Sequence, residues 1–466
     1  MKNSLSRSLQ AVSGGARSQL QSRIQGAVIT PADPEYNPAR QAWNLSVDQH
    51  PALIVLAEEA GDVAAAVQYA VENELNISVQ ATGHGLAQPA EGTLLVVTSR
   101  MKSIRVDTAA RTAWIGAGAK WGEVLAQTQP VGLAPLLGSS PDVGVVGYTL
   151  GGGYGWLGRK FGLAADSVRF FELVTADGHT LRASAEENSD LFWGLRGGGG
   201  SLGIVTGMVI DLYPITTVYG GNLFYPIQAA REVMARYREW IATVPDELTS
   251  SVVLMNFPPI PLVPEPLQGQ SFVMVRGCHC GPSAEGQALL QPWRDWRAPF
   301  IDDFKEMPFG EVGTISNDPV DPLPVFSTGA WMKALPDTAV DVLVRHGTAG
   351  DGPPPLLMTE VRHVGGAVAR GRSQAGAFGN REAELLLFMV GLTPTPDAYG
   401  ALARYTQQVK ERLGPFLTGG VYMNFLEGQE ARLRAKDGFP PENYARLIQL
   451  KRDYDPHHRL RSGFLG

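Results

Sequence analysis

The sequence predicts an α+β protein of two domains, and three observations support this prediction. The chain has 466 residues, more than the roughly 250–300 at which a single hydrophobic core stops growing. Its first half contains short apolar segments that predict strands, separated by helical patterns. Beyond Pro214, helices alternate with segments typical of an antiparallel sheet. We therefore predict a first domain over 1–219, a second over 220–416, and a tail over 417–466 that returns to the first domain.

In the first domain, residues 51–81 predict a strand, a helix and a second strand. Val63, Val67 and Val71 recur at helical spacing, and residues 77–81 are apolar and β-branched. The second strand leads directly into Thr82-Gly83-His84-Gly85. Further predicted elements are strands at 94–97, 112–116 and 204–212, a hairpin at 168–183 with an Asp-Gly turn, and helices at 121–128 and 188–195.

The second domain is predicted to be an antiparallel sheet covered by helices. Its proline-rich pieces 257–266 and 353–355 are typical of loops. In the tail, we predict a strand from Val421 to Phe425 and a helix that ends before Asp455. The predicted helices lie near 228–241, 281–292 and 396–413, and the predicted strands near 251–256, 271–277, 356–363 and 384–391.

Charge and composition disfavour several functional classes. The formal net charge is −7, which gives no electrostatic support for binding nucleic acid or an anionic membrane. No apolar run is long enough to span a bilayer, and residues 1–25 are too polar for a secretory signal, so we expect a cytoplasmic protein. The only two cysteines, Cys278 and Cys280, flank His279, and we expect packing there rather than a metal site.

Two segments match the G-x-G-x-x-G pattern of dinucleotide-binding folds, at 153–158 and 198–203. A Rossmann site requires glycines that end a strand and open a helix within a βαβ unit. Neither segment has that context, and glycine-dense stretches produce the pattern by chance. We therefore do not predict a Rossmann site.

Small residues follow the buried strand at 77–80, in the loop Ala81, Thr82, Gly83, His84 and Gly85. Such a loop lets backbone N–H groups approach a phosphate, although the loop taken alone favours a tight turn with an exposed histidine. The segment 144–155 adds six glycines, and backbone without Cβ atoms can lie flat against a planar ring system. Period-2 alternation in the tail would place Tyr422 and Asn424 on one face of a strand.

Together these pieces resemble the berberine-bridge-enzyme-like branch of the vanillyl-alcohol-oxidase superfamily. The resemblance spans about 30–220 and 355–466, in the family's order, and implies a two-domain PCMH-type FAD-binding fold with an α+β substrate domain. The segments that carry it are Gly83-His84, 144–155, 161–166, 190–193, 198–206, Tyr422-Met423-Asn424-Phe425 and Asn443 to Pro456.

The resemblance implies FAD bound covalently through His84, whose ring would bond to the flavin 8α-methyl carbon. It also implies a small-molecule substrate, O₂ as electron acceptor, and a monomer or homodimer. The other residues implied to contact FAD are Ala81, Thr82, Gly83, Gly85, Gly138, Ser139, Val143, Gly144, Gly147, Tyr148, Gly151, Gly152, Gly155, Gly203, Val205, Tyr422 and Asn424.

The sequence also departs from the family pattern. Many relatives attach FAD a second time through a cysteine, but Ser140 precedes Pro141 here and cannot form a thioether. We therefore expect a single covalent bond. Gln80 and Thr82 replace an arginine and a glycine common in the family. Val143 lies near a position associated with oxygen access and favours an oxidase.

Oxidation by flavin requires a base for the substrate proton. Tyr422 is the first candidate and Glu360, which shares a strand face with Arg362, is the second. Phe388 and Met389 replace a polar residue that relatives often carry, which indicates an apolar pocket. A dehydrogenase with another acceptor, and a flavin-binding protein without catalysis, remain alternatives. An alcohol, a sugar or an amine could be the substrate.

Overall fold

A computed structural model describes residues 14–85, 88–261, 263–348, 355–371 and 376–465 of the chain. It contains three sheets and their covering helices. In chain order the helices are α1 Gly14–Gln21, α2 Tyr36–Arg40, α3 Ala60–Glu72, α4 Trp121–Thr128, α5 Val145–Leu150, α6 Gly158–Phe161, α7 Ser189–Leu195, α8 Ala230–Ile241, α9 Ser283–Trp296, α10 Asp337–Gly347, α11 Gly366–Arg370, α12 Pro396–Leu413, α13 Gly428–Arg434 and α14 Pro441–Tyr454.

The first sheet has four strands in the order β1-β2-β4-β3. Strands β2, β4 and β3 run parallel, and β1 pairs antiparallel with β2. The residues of β4 are buried on both faces, as expected for parallel strands covered on both sides. The four strands are β1 Ala27–Ile29, β2 Leu53–Leu56, β3 Ile77–Gln80 and β4 Leu94–Val97.

The second sheet has five antiparallel strands in the order β5-β6-β9-β7-β8. Strands β7 and β8 form the predicted hairpin, with Gly178 at φ +87° in its turn. This sheet shares one hydrophobic core with the first sheet. Its strands are β5 Ile104–Asp107, β6 Thr112–Gly116, β7 Val168–Val174, β8 Thr180–Ser184 and β9 Ile204–Asp211.

The third sheet is antiparallel and follows the order β13-β10-β12-β11-β16-β17-β15, with β14 paired to β10. Helices α8, α9, α10 and α12 contribute to the core on one of its faces, which includes Val361. The alternate residues, Glu360 and Arg362 among them, lie on the opposite face. The strands are β10 Thr217–Pro226, β11 Leu248–Asn256, β12 Ser271–His279, β13 Ile301–Asp302, β14 Lys305–Pro308, β15 Val325–Met332, β16 Met358–His363 and β17 Leu385–Leu392.

The tail contacts the first sheet. The N–H of Ile77 in β3 donates to the carbonyl of Arg459, and the N–H of Arg461 donates back to Ile77. Helix α14 also packs against α7. These contacts agree with a tail that returns to the first domain, while the domain boundaries themselves remain a prediction.

One sequence prediction needs correction, and several elements were not predicted. The segment predicted as a strand from Val421 to Phe425 is instead a 3₁₀ turn, Met423–Phe425, with Tyr422 immediately before it. Strands β10 and β15 and helix α10 were not predicted, since glycines interrupt the two strands. Most of the predicted loop at 353–355 lies outside the described residues.

No helix within the described ranges has the length and apolar character needed to cross a membrane. Cys278 and Cys280 are buried as free thiols, and His279 between them is fully buried in β12. Over the same residues, no group of three or more His, Cys, Asp or Glu side chains could hold a metal ion.

Candidate functional site

The loop 81–85 is held by the chain segment around Ala42. The N–H of Trp43 donates to the carbonyl of Thr82, and that of Asn44 donates to Gly83. Gly83 has φ +75°, and a Cβ built on it would lie 2.7 Å from the Cα of Ala42. Only glycine satisfies both conditions, so the turn that presents His84 depends on Gly83.

His84 is positioned by an aromatic ring and a carboxylate. Its imidazole stacks on Trp43 with the ring centroids 4.2 Å apart, and its Nε2 lies 3.4 Å from Oδ2 of Asp142. The second oxygen of Asp142 accepts a hydrogen bond from Lys120. Burial lowers the pKa of His84 below its ordinary value, and the Asp142 carboxylate offsets only part of that effect. The imidazole is therefore neutral at neutral pH.

The glycine segment begins against this loop. A Cβ built on Gly144 would lie 3.4 Å from the Thr82 side chain and 3.7 Å from the Cβ of Ala81. In contrast, a Cβ built on Gly85 or on Gly147 would meet no atom of the described residues within 4 Å. The bare backbone of these two glycines thus faces away from protein contacts.

Tyr148 lies one residue further along, in α5. Its ring is packed against Gly138, where a Cβ would lie 2.9 Å from Cε2. The Tyr148 Oη is buried and has no hydrogen-bond partner among the described residues. Buried hydroxyl groups are rarely left without a partner, so this one is suited to a ligand atom.

The end of the glycine segment packs against the tail. A Cβ on Gly151 would overlap Oδ1 of Asn424, and a Cβ on Gly152, which has φ +106°, would lie 2.5 Å from the Phe378 ring. Gly155 is in contact with the carbonyl of Leu137. These three glycines permit close packing between protein segments, which the resemblance to the family did not anticipate.

Tyr422 and Asn424 lie together despite the wrong strand prediction. The Tyr422 Oη accepts hydrogen bonds from the N–H of Tyr154 at 2.9 Å and from Nδ2 of Asn424 at 3.1 Å. The same amide nitrogen donates to the carbonyl of Tyr148. Burial raises the pKa of the Tyr422 phenol, and the two N–H donors and Arg362 offset this only in part. Tyr422 is therefore a neutral phenol at neutral pH.

Aromatic side chains surround Tyr422. Its ring centroid lies 4.8 Å from that of Phe425, 5.7 Å from Trp331 and 5.9 Å from Phe378. Phe425 in turn stacks on Phe388, with centroids 3.9 Å apart. These rings form an apolar wall that includes Phe388.

Glu360 is almost fully buried on the face of the third sheet opposite α8, α9, α10 and α12. Its Oε1 accepts a hydrogen bond from Ser251 at 2.6 Å, and its Oε2 accepts one from Nε of Arg362 at 2.7 Å. Burial acts to raise its pKa, but Arg362, Arg276 and Ser251 outweigh burial, and the pKa lies below its ordinary value. Glu360 is thus ionised.

The remaining candidates lie on other segments of the chain. Ser139 lines a small cavity together with Tyr154, Glu360 and Arg362. Gly203 packs on the side chain of Leu173, and Val205 pairs with the same residue in the second sheet. Ser140 accepts a hydrogen bond from the N–H of Asp142 and so helps to hold the carboxylate beside His84.

A larger cavity of about 550 Å³ opens at the carboxyl ends of the parallel strands. Gln80, Ala81 and Thr82 line it, together with Arg17 and Arg100. Both arginines are already paired, Arg17 with Asp33 and Arg100 with Glu58. The cavity therefore lies beside the candidate phosphate-binding loop, at the strand ends where open α/β sheets bind ligands.

The described residues fit an FAD with its ring near His84 and Tyr422. A neutral histidine, two glycines without protein neighbours and the unpaired Tyr148 hydroxyl lie on connected segments. Sequence reasoning did not identify Trp43, Lys120 or Asp142. No local sequence pattern connects Asp142 or Trp43 with His84.

Comparisons with known proteins agree with this geometry. The FAD binding domain family matches residues 51–184. An FAD-linked oxidoreductase of Bacillus subtilis (strain 168) is 30% identical, over 94% of this chain and 96% of its own. The (R)-6-hydroxynicotine oxidase of Paenarthrobacter nicotinovorans is 29% identical, over 95% of this chain and 96% of its own. Berberine bridge enzyme from Eschscholzia californica has the same fold, with a TM-score of 0.81 and 21% identity. The match covers 95% of this chain and 97% of that enzyme's chain.

The fold and the site thus define an FAD-dependent oxidoreductase. The chain belongs to the FAD-linked oxidoreductases, and it has the fold of berberine bridge enzyme. The predictions of family, fold class and FAD are confirmed. The covalent link, the residue roles, the substrate and the electron acceptor remain to be proposed.

Proposed function

We propose that this protein is an FAD-dependent oxidase of a small molecule, acting on a carbon that bears an alcohol, sugar hydroxyl or amine group. When bound, FAD accepts a hydride from that carbon at N5 and passes the electrons to O₂, which gives H₂O₂. The observation that carries this proposal is the pair of N–H donors on Tyr422. They occupy both lone pairs of its Oη, so its own hydrogen is free to face a reacting substrate.

We further propose that His84 forms the only covalent bond to FAD. Its neutral imidazole has a lone pair for bonding to the 8α-methyl carbon. Asp142 lies beside Nε2, so Nδ1 is the nitrogen left for this bond. Trp43 holds the ring plane, and Ser140 offers no thiol for a second link. The loop residues 81–85 and Gly144 to Gly147 would lie along the cofactor, with Gly203 and Val205 further away.

Two residues are proposed for the substrate proton. Tyr422 is the first candidate, and because burial raises its pKa, a base role predicts activity that increases far into the alkaline range. Glu360 is the second candidate and is already ionised, so a base role for it predicts activity that is level above acidic pH. The pH profile of kcat/KM distinguishes the two.

O₂ is the proposed acceptor because the whole chain resembles a relative named as an oxidase. Val143, only half-buried beside the glycine segment, also favours this choice. A dehydrogenase with another acceptor is the alternative. We keep the proposed substrate domain at 220–416 and the FAD domain at 1–219 with 417–466, and expect a monomer or homodimer.

The test is anaerobic reduction followed by exposure to air. Alcohols, sugars and amines are added to the purified protein without oxygen, and bleaching of the flavin absorbance identifies a substrate. Rapid recovery of the absorbance in air, with one H₂O₂ per substrate, is the expected result. Slow recovery would reject the oxidase in favour of a dehydrogenase. Bleaching by no member of a broad panel would favour a flavin-binding protein without catalysis.

A further inference from the structure

A row of polar side chains crosses the third sheet on the face that points away from the helices. Asn222, Arg276, Ser251 and Arg362 are direct cross-strand neighbours on β10, β12, β11 and β16. Directly paired residues share one face of an antiparallel sheet. Glu360 joins the row through Ser251 and Arg362, and its Oε1 lies 3.9 Å from the Arg276 guanidinium. The row therefore contains two cations and one carboxylate.

Arg362 uses only part of its hydrogen-bonding capacity. A guanidinium has five N–H donors, and here Nε alone makes a hydrogen bond, to Glu360. Neither of its Nη atoms donates to any residue in the described part of the chain. The side chain is 15% exposed, which is unusually low for an arginine with free donors.

The surroundings of Arg362 restrict what can reach these donors. The guanidinium carbon lies 5.4 Å from the centre of the Phe388 ring and 5.1 Å from that of Phe425. The Phe425 ring also lies beside Tyr422, with the two ring centroids 4.8 Å apart, so it connects the guanidinium with that tyrosine. A molecule that reaches Arg362 is therefore in contact with aromatic rings beside the residue proposed to face the reacting atom.

A second group with an unused donor lines the same small cavity. Trp156 is buried, and its Nε1 has no acceptor among the residues described. Indole N–H and guanidinium groups only donate hydrogen bonds, and a buried donor without a partner is costly. The oxygens of Glu360 in this cavity already accept from Ser251 and Arg362. The unused donors therefore lack a hydrogen-bond acceptor. Next to a guanidinium, an anionic oxygen is the favoured acceptor.

We propose that Arg362 is a specificity-determining residue that binds an anionic oxygen, a carboxylate or a phenolate, on an aromatic substrate. This inference rests on the proposed oxidase function and narrows its substrate class. Phe388 and Phe425 provide the apolar wall for the substrate ring, and Glu360 positions the guanidinium through Nε. A substrate that carried only a positive charge at this point would be repelled.

The experiment compares two probes of the same shape on the FAD-loaded protein. Benzoate carries the anionic oxygens and benzamide is its neutral counterpart, and each is titrated while the flavin absorbance is followed. We expect benzoate to bind at least 10-fold more tightly than benzamide. Equal affinities, or no binding of benzoate, would overturn the proposal. Failure of the proposed oxidase function is separate, because it would appear in the anaerobic reduction test as no bleaching or slow recovery of the flavin absorbance, whatever the affinity for benzoate.

Variants then assign the preference to Arg362. In Arg362→Gln the preference for benzoate should disappear, and in Arg362→Lys, which keeps the charge without the planar fork, part of it should remain. The control Arg231→Gln removes an exposed arginine on α8 and should leave the preference unchanged. A preference that persists in Arg362→Gln contradicts the assignment.

The Arg362 guanidinium could instead interact with the flavin ring, and the affinity for sulfite distinguishes this alternative. Sulfite adds to flavin N5 more tightly when positive charge lies near the ring. The proposal expects similar sulfite affinity in the wild type and in Arg362→Gln. A large loss of sulfite affinity with unchanged benzoate binding would place Arg362 at the cofactor and overturn the proposal.

Discussion

The hydroxyl of Tyr422 accepts a hydrogen bond from the backbone N–H of Tyr154, 268 residues earlier in the chain. This bond fixes the phenol of the tail against the end of the glycine segment. A second N–H, from Asn424, occupies the other lone pair of the same oxygen. A tyrosine that only filled space would not need two donors, and the arrangement leaves the phenolic hydrogen as its one unused group.

We therefore predict that Tyr422→Phe lowers kcat by about 10²- to 10⁴-fold, the usual contribution of a positioned acid or base. Flavin content should remain normal, because the ring contacts with Phe425 and Trp331 persist. Steady-state kinetics with the first substrate that bleaches the flavin provide the measurement. If Tyr422 is the base, the alkaline increase in kcat/KM should also disappear in the variant.

Asn424→Ala is the matched comparison for this prediction. It removes one of the two donors to Tyr422 and also the contact with the carbonyl of Tyr148. Loss of a donor that stabilises the phenolate should raise the pKa of Tyr422 further. The activity profile should then shift to higher pH. A Tyr422→Phe variant with wild-type kcat would remove Tyr422 from the chemistry.

The second prediction concerns the link through His84. Acid-precipitated wild-type protein should stay yellow, and His84→Ala should release its flavin into the supernatant. Asp142→Asn keeps the size of the neighbour but loses the charge beside Nε2. It should therefore slow attachment without preventing FAD binding, measured as covalent flavin against time after FAD is added to apoprotein. A colourless wild-type precipitate would contradict the covalent link.

The parts of this site that are close together in the sequence could be predicted from it, and the parts that are far apart in the sequence could not. The loop 81–85 could be predicted because β3 and its following small residues are consecutive. Asp142 lies 58 residues from His84, and no local pattern connects them. The proximity of Tyr422 to Asn424 was predicted from an alternating strand, yet it arises from a 3₁₀ turn. The 3₁₀ turn brings the side chains of Tyr422 and Asn424 close enough for a hydrogen bond.

The fold likewise contains strands that local sequence patterns predict and strands that they do not. Strands with continuous apolar or β-branched residues, such as β3 and β4, were predicted with nearly correct bounds. Strand β10 was missed because Gly220 and Gly221 interrupt its pattern. Its Gly221 is in close contact with Phe304, a tertiary reason for glycine that local propensity does not contain.

The third prediction separates two glycines that look equivalent in the sequence. Gly151→Ala should destabilise the fold by about 1–3 kcal/mol, because its Cβ would overlap Asn424 and the tail must move. Gly147→Ala should leave the apoprotein as stable as before, since its Cβ meets no atom of the described residues within 4 Å and α5 tolerates alanine. It should nevertheless reduce FAD retention if the cofactor lies there.

These two variants are best compared in a His84→Ala background, where flavin can be removed before thermal unfolding. The unfolding midpoints report on the fold, and FAD titration reports on the cofactor contact. Unchanged FAD affinity in Gly147→Ala would mean that the cofactor does not lie against this part of α5.

The last prediction follows from the buried histidine at the end of β16. The Nε2 of His363 lies 2.8 Å from Nη1 of Arg159, and burial together with this cation lowers the pKa of His363 to about 3. The unfolded chain would bind a proton near pH 6.5, where the folded protein does not. Stability should therefore be lost as pH falls from about 6.5 towards 3, with a slope of up to about 1.4 kcal/mol per pH unit from this residue.

His363→Gln retains an acceptor for Arg159 but cannot take up the proton. Its free energy of unfolding, measured in denaturant between pH 7 and pH 4, should fall less steeply on acidification than that of the wild type. His179→Gln is the control, since His179 is exposed in the turn of the β7–β8 hairpin. Equal slopes for the wild type and His363→Gln would show that the folded protein already binds the proton, and that Arg159 can move away from the ring.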